Sequence, residues 1–575
     1  MGRTYGANWH SFVSEKQDDP RFSGVPKSTY RPVPVCVQKL PRPSAQICVG
    51  ELFHLKTQAS VAKGATSLYV ANIVVLVANT LYFLVLTNFL RSTLGVGIVT
   101  ALNIMIWFLV TVCILAQPVA VQSPVPAPLA VLKFIPELLA KRARSAAGKL
   151  FTTSLAFSGV IGGVIAAVLI AAPGLIIPLI GGQMIAPNYV RLSGIDILFL
   201  SLGQVCIGAL IALGEMKSAT LYLILWSAVR YTLASVLLVT FAISGVLVGW
   251  ILGDVVLLVF AVQKSVRTLR VGGGRSSFSM SELARYSLYT LLSALIGFAV
   301  NQADKIFTLA RQGLPELAVY NVAIVAASFA GFAPYALLTV LLPALSALHA
   351  AKRTGQMRAL IHSYSRYVSI VVLPVAFGFA SIMGVALRIF GPEYVAGLVP
   401  SVIVSVVTGL TAVGAVYAGA LLAAGELKWF TGANAIGLVG LVVVSYFLTP
   451  IFGLSGPALG RATLMALVAL VYGFALWRSG FFEFDLRAFL CAAAGSAVMG
   501  VVVFFALSFA HSFLAKLVML PFVVIFGAFV YVGSLRVLRL LTVDDLKFVR
   551  DLLPTRFHGF LPLAAKLAGL SRKRK

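Results

Sequence analysis

Phe241-Ala242-Ile243-Ser244-Gly245 joins two apolar runs, 217–241 and 243–263, and it returns near residue 450 as Phe452-Gly453-Leu454-Ser455-Gly456. Both copies continue to a further glycine, Gly249 and Gly460. Two other echoes keep the same order along the chain. Ser67-Leu68-Tyr69 recurs as Ser287-Leu288-Tyr289, in a register that aligns Arg91 with Arg311. Pro187-Asn188-Tyr189-Val190 recurs as Pro392-Glu393-Tyr394-Val395. One such echo is a coincidence that an apolar sequence allows. Three in order, each at the equivalent place in a block of six apolar runs, point to a duplication. The Ser-Gly-x-x-x-Gly pieces read as packing surfaces, because small residues four apart let two helices approach closely.

The composition says what the runs are. Of 575 residues, 60% are apolar and 11% charged, and mean hydropathy is +0.98. Too few polar side chains exist to cover a water-soluble fold. A helix needs about 20 mostly apolar residues to cross the hydrocarbon core. That length picks out fourteen runs, near 66–90, 95–117, 150–172, 192–213, 217–241, 243–263, 285–310, 317–345, 363–389, 399–423, 429–449, 453–477, 488–510 and 514–535. None alternates as a barrel strand would, so helices are expected. The fold class is therefore all-α and polytopic: about fourteen transmembrane helices, as two six-helix repeats plus two extra helices. Six is even, so the second repeat enters the membrane in the same direction as the first. A parallel repeat of this kind places substrate at the interface of its halves.

The net charge of +27 could suggest a nucleic-acid partner, but its distribution argues otherwise. Numbering the connections alternately puts 37 of the 45 Lys and Arg on the side of the N-terminus and five on the other. Basic loops face the cytoplasm, so both termini are expected there, in a plasma-membrane protein. The expected organisation is a basic, Pro-rich, disordered extension over 1–60, an N-lobe over 61–263 and a cytoplasmic linker over 264–284. A C-lobe over 285–478, two further spans over 479–540 and a basic amphipathic tail over 541–575 complete it. Residues 129–148 form a second amphipathic segment suited to an anionic leaflet. Five cysteines in no metal-ligand spacing give neither a disulfide framework nor a metal site.

A parallel repeat followed by two spans resembles the multidrug/oligosaccharidyl-lipid/polysaccharide (MOP) exporter superfamily, above all its polysaccharide-type (Wzx-like) flippases. The residues that carry the resemblance are Asp304, Leu317-Ala318-Val319-Tyr320, Leu342-Pro343-Ala344-Leu345-Ser346, Phe390-Gly391-Pro392-Glu393-Tyr394, and Leu546 and Leu553-Pro554 after Asp545. The resemblance implies alternating access by two lobes. Its implied cargo is a lipid-linked oligosaccharide on a polyprenyl or dolichyl phosphate or pyrophosphate, moved from the cytoplasmic to the external leaflet. It also implies coupling to H⁺ or Na⁺, with glycosyltransferases or a polymerase as neighbours and a monomeric transporter. No GxxxxGK[ST] motif occurs, so no cofactor or bound nucleotide is expected. The alternative within the superfamily is a cation-coupled exporter of small amphiphiles or drugs. An enzyme is not expected, because the longest external link, about 173–191, holds no Asp, Glu or His.

Five ionisable residues stand inside the runs: Arg230, Asp254, Asp304, Lys305 and Arg461. Each costs about 2.5–3.5 kcal/mol at mid-bilayer by insertion scales, so each should face protein or water. Asp196 is set aside as lying a turn from the outer end of its run. Arg230 and Asp254 sit at similar depth on adjacent helices. They form either an ion pair stapling that hairpin or a cavity-wall cation tuned by a carboxylate. Asn301, Asp304 and Lys305 share a helical face and, with Gln302, make a polar stripe. A lipid phosphate calls for persistent cations, so Arg230, Lys305 and Arg461 are the expected phosphate ligands. Asp304 and Asp254 are the candidates for ion coupling or charge pairing.

Overall fold

A computed structural model describes residues 71–114, 130–141, 143–269, 280–331, 341–342 and 344–540. The expectations for 1–60, for Ser67-Leu68-Tyr69, for Pro343 and for the tail over 541–575 lie outside the described residues.

The described chain is all helix. In order the helices are α1 (Ala71–Leu90), α2 (Thr93–Cys113), α3 (Ala130–Ala140), α4 (Arg144–Ala171), α5 (Pro187–Ala212) and α6 (Met216–Leu269). Next come α7 (Met280–Gln312), α8 (Leu314–Ser328), α9 (Thr354–Phe390), α10 (Leu398–Leu410) and α11 (Val413–Ala423). The last four are α12 (Leu427–Phe452), α13 (Ser455–Arg478), α14 (Leu486–Ser508) and α15 (Phe513–Val537). Among the described residues, twelve helices are long and apolar enough to cross a membrane. α6 serves for two of the expected runs because it folds back at Ala242. α7 carries the seventh run, and the tenth is broken into α10 and α11. The chain is a polytopic membrane protein.

The echoed turns share one backbone geometry. Ala242 has φ 49° and ψ −133°; Gly453, its counterpart, has φ 54° and ψ −128°. That region favours glycine, so the first copy carries a strained alanine where the second has the unstrained residue. The small residues beyond each turn also behave alike. A Cβ on Gly245 would strike Leu237, and one on Gly456 would strike Thr449. Gly249 and Gly460 lie equally tight, against Ala234 and Ser445. The echo is thus a closely packed antiparallel helix pair made twice.

The other echo gives Pro187 and Pro392 the same task, since each starts a helix at a position where the missing N–H costs nothing. Of the amphipathic segment, the described residues form α3 and the start of α4. α3 turns Val131, Phe134 and Ile135 into the protein core, and a break near residue 141 separates it from α4.

The first half meets the second where α2 packs on α8. A Cβ on Gly97 would collide with the Leu314 carbonyl, and Asn321 Nδ2 lies 3.4 Å from Thr100 Oγ1. Asn88 Nδ2 at the end of α1 donates to Ile389 O in α9 at 3.0 Å. α14 and α15 attach separately, through an apolar cluster with α9 that includes Val385, Met499, Val523 and Tyr531. The Tyr531 hydroxyl donates to Ile370 O at 2.7 Å.

Candidate functional site

The intramembrane charges collect into two clusters. The first lies wholly in the first half. Arg230 donates from Nη1 to Asp254 Oδ2 at 2.6 Å, and its Nη2 lies 3.3 Å from Asp196 Oδ2. The Trp226 indole N–H donates to Asp254 Oδ1 at 2.6 Å. The guanidinium also sits 5.6 Å from the Trp226 ring centre and 4.9 Å from that of Trp250. Both carboxylates are fully buried. One cation is therefore held by two carboxylates and two indoles.

Asp196 does not lie where the sequence reading puts it. α5 begins at Pro187 rather than 192, so Asp196 lies nine residues inside, about 13 Å deep at 1.5 Å per residue. Arg230 is consumed by this arrangement. The ion pair that staples the hairpin is the geometry present, and both oxygens of Asp254 are already engaged.

The second cluster joins α7, α8 and α13. Arg461 Nη1 donates to Asp304 Oδ2 at 2.7 Å and lies 3.4 Å from the Asn301 carbonyl. The Tyr320 hydroxyl donates to the same Asp304 oxygen at 2.9 Å. Asp304 is fully buried, and its Oδ1 has no hydrogen-bond partner among the described residues. Lys305 is 9% exposed and makes no hydrogen bond or ion pair among the described residues. The rest of the polar stripe is less committed to the site. Asn301 turns its amide back to Gly297 O at 2.8 Å, and Gln302 Oε1 is buried without a partner among the described residues. Here two cations meet one carboxylate, the inverse of the first cluster.

Tyr320, Trp226 and Trp250 are members of these clusters that the sequence reading gave no role. Tyr320 could have been found: it follows Leu317-Ala318-Val319 in the segment that carries the family resemblance, and it faces the only carboxylate of the neighbouring apolar stretch. The turn-to-turn register also places Trp250 and Arg461 at equivalent positions. The two halves have diverged there, one copy stacking on a neutralised arginine and the other supplying a cation.

Residues 138–395 match the model of a family described as "Polysaccharide biosynthesis protein". No curated protein sequence matches the chain. Among solved structures, the lipid II flippase MurJ in an inward closed conformation superposes with TM-score 0.64 at 13% identity. The match covers 81% of this chain and 99% of that one. The chain has the MOP exporter fold. The Vibrio cholerae MATE transporter VcmN gives TM-score 0.56 at 16% identity, over 74% of this chain and 99% of that one. A MOP superfamily transporter from Pyrococcus furiosus gives 0.54 at 16%, over 73% and 96%. The fold is thus that of solved flippases and multidrug exporters.

Proposed function

We propose that this protein is a secondary flippase. In this reading it carries an oligosaccharide linked to a polyprenyl or dolichyl phosphate or pyrophosphate from the cytoplasmic to the external leaflet by alternating access. The observation that carries the reading is the second cluster. A cation buried in a span without a protein counter-ion costs several kcal/mol, and an anionic cargo group offsets that cost. Lys305 makes no ion pair among the described residues, and the one carboxylate beside it, Asp304, is already held by Arg461, so the cluster carries a cation in surplus. Arg461 adds a planar fork that suits phosphate oxygens, and it would exchange Asp304 for the cargo. Asp304, left with an open oxygen, would then take up H⁺ or Na⁺. Arg230 and Asp254 are assigned the structural role their mutual contacts support.

The seam between the halves supports alternating access. The hydrogen bonds from Asn88 to Ile389 and from Asn321 to Thr100 both lie in the half of the membrane that the charge count assigns to the exterior. Opening to the exterior would separate α2 from α8. Both termini in the cytoplasm of a plasma-membrane protein, a monomeric state, and neighbouring glycosyltransferases or a polymerase belong to the same proposal.

The test is reconstitution with a fluorescent lipid-linked oligosaccharide. Lys305→Ala and Arg461→Ala should each abolish flipping while leaving insertion intact, and Lys305→Arg should retain a measurable rate. Full activity of Arg461→Ala would overturn the assignment. A drug-exporting relative would instead move cationic amphiphiles, and the cation surplus beside Asp304 disfavours those.

A further inference from the structure

An apolar groove of about 580 Å³ lies between α11, α13 and the segment that leads into α14, and no member of either charge cluster lines it. Its lining runs from Leu410 and Ala466 at one end to Trp477, Phe482 and Phe489 at the other. Ala466 and Trp477 stand eleven residues apart on α13, about 16 Å along its axis. That is close to half of a hydrocarbon core roughly 30 Å thick. The groove thus spans one leaflet.

The aromatic end carries cations. Arg478 follows Trp477, and Arg487 opens the helix that bears Phe489; both are exposed. The Arg358 guanidinium lies against the turn at Gly480. None of the three has an ion-pair partner among the described residues. The nearby carboxylates are engaged instead. Asp485 pairs with Arg366 at 3.0 Å, and Glu483 Oε2 lies 4.0 Å from His362 Nδ1. Free cations at the interface with an apolar channel leading inward from them match one amphiphile: a phosphate headgroup with an acyl chain.

We propose that this groove is a binding site for an anionic glycerophospholipid. The phosphate rests on Arg478 and Arg487 and one acyl chain fills the channel toward Ala466. The one-leaflet length selects this occupant over a polyprenyl carrier, whose chain is several times longer than the groove. The site is independent of the transport reading.

The experiment uses the full-length chain in vesicles of equal parts phosphatidylcholine and phosphatidylglycerol. After gentle extraction, native mass spectrometry counts the retained lipids. One phosphatidylglycerol per chain is expected to persist in preference to phosphatidylcholine. Each basic residue near a lipid surface contributes about 1 kcal/mol, so the double variant Arg478→Gln/Arg487→Gln should lower retention roughly thirtyfold. The matching Lys pair should restore it. Ala466→Phe should displace the lipid by filling the channel. Equal retention of the two lipids, or retention unchanged in the Gln pair, would overturn the proposal. Displacement by equimolar undecaprenyl phosphate would overturn it too, by giving the groove to the carrier. The arginines are exposed, so the Gln pair keeps the test meaningful should Ala466→Phe misfold.

Discussion

The cluster of Asp196, Arg230 and Asp254 can be separated into structural and transport roles by how its charges are removed. Arg230→Met alone leaves two carboxylates that are fully buried and have lost their cation. Breaking one buried ion pair by removing a single partner typically costs about 3–5 kcal/mol. Two carboxylates are stranded here, so the loss should approach the whole stability of an ordinary domain, about 5–15 kcal/mol. The single variant should therefore fail to accumulate in membranes as a folded protein. Combining it with Asp196→Asn and Asp254→Asn removes every formal charge while keeping the side-chain volumes. What is then lost is net hydrogen bonding of about 1 kcal/mol per bond, and the amide oxygen that replaces the Asp254 carboxylate can still accept from Trp226. The triple variant should fold within roughly 2–3 kcal/mol of the parent by detergent unfolding, and it should flip lipid at a comparable rate. A stable Arg230→Met would refute the energetic argument. A folded but inactive triple variant would refute the structural assignment and return these charges to the transport cycle.

Other outcomes follow from the same geometry. Ala242→Gly should stabilise the protein and Gly453→Ala destabilise it, because positive-φ strain costs about 1–3 kcal/mol and glycine returns about 0.5–1 through chain entropy; unfolding titrations of the two variants should move in opposite directions. Tyr320→Phe removes one of the two donors to Asp304 Oδ2 among the described residues, so it should cost about 1 kcal/mol in stability and slow flipping without abolishing it. Gly97→Ala should prevent α2 from closing on α8. Labelling of a cysteine placed at Asn88 by an impermeant thiol reagent should then accelerate, and an unchanged rate would speak against the seam.

Much of this is legible in the order of residues. Hydropathy is local and roughly additive along the chain, so run lengths yield the spans, and the Phe-x-x-Ser-Gly echo yields the duplication. The same local logic finds Asp304, Lys305 and Arg461 as charges that lipid would reject. It misjudges Asp196, because the depth of a residue depends on where its helix begins, and Pro187 starts α5 before its apolar stretch does. It leaves the role of Arg230 open between an ion pair and a phosphate ligand, since counting charges cannot tell a cation that faces two carboxylates from one that shares a single carboxylate.

The sequence alone determined that the chain crosses a membrane many times and that its two halves repeat in parallel. Each of these depends on composition within a window of about twenty residues. The tertiary structure alone decided which charges meet. Pairing depends on how each helix is rotated about its axis and how deeply it sits, and packing between distant segments sets both. That is why Arg230 is neutralised by carboxylates 24 and 34 residues away, Arg461 meets one 157 residues away, and Lys305 forms no ion pair among the described residues.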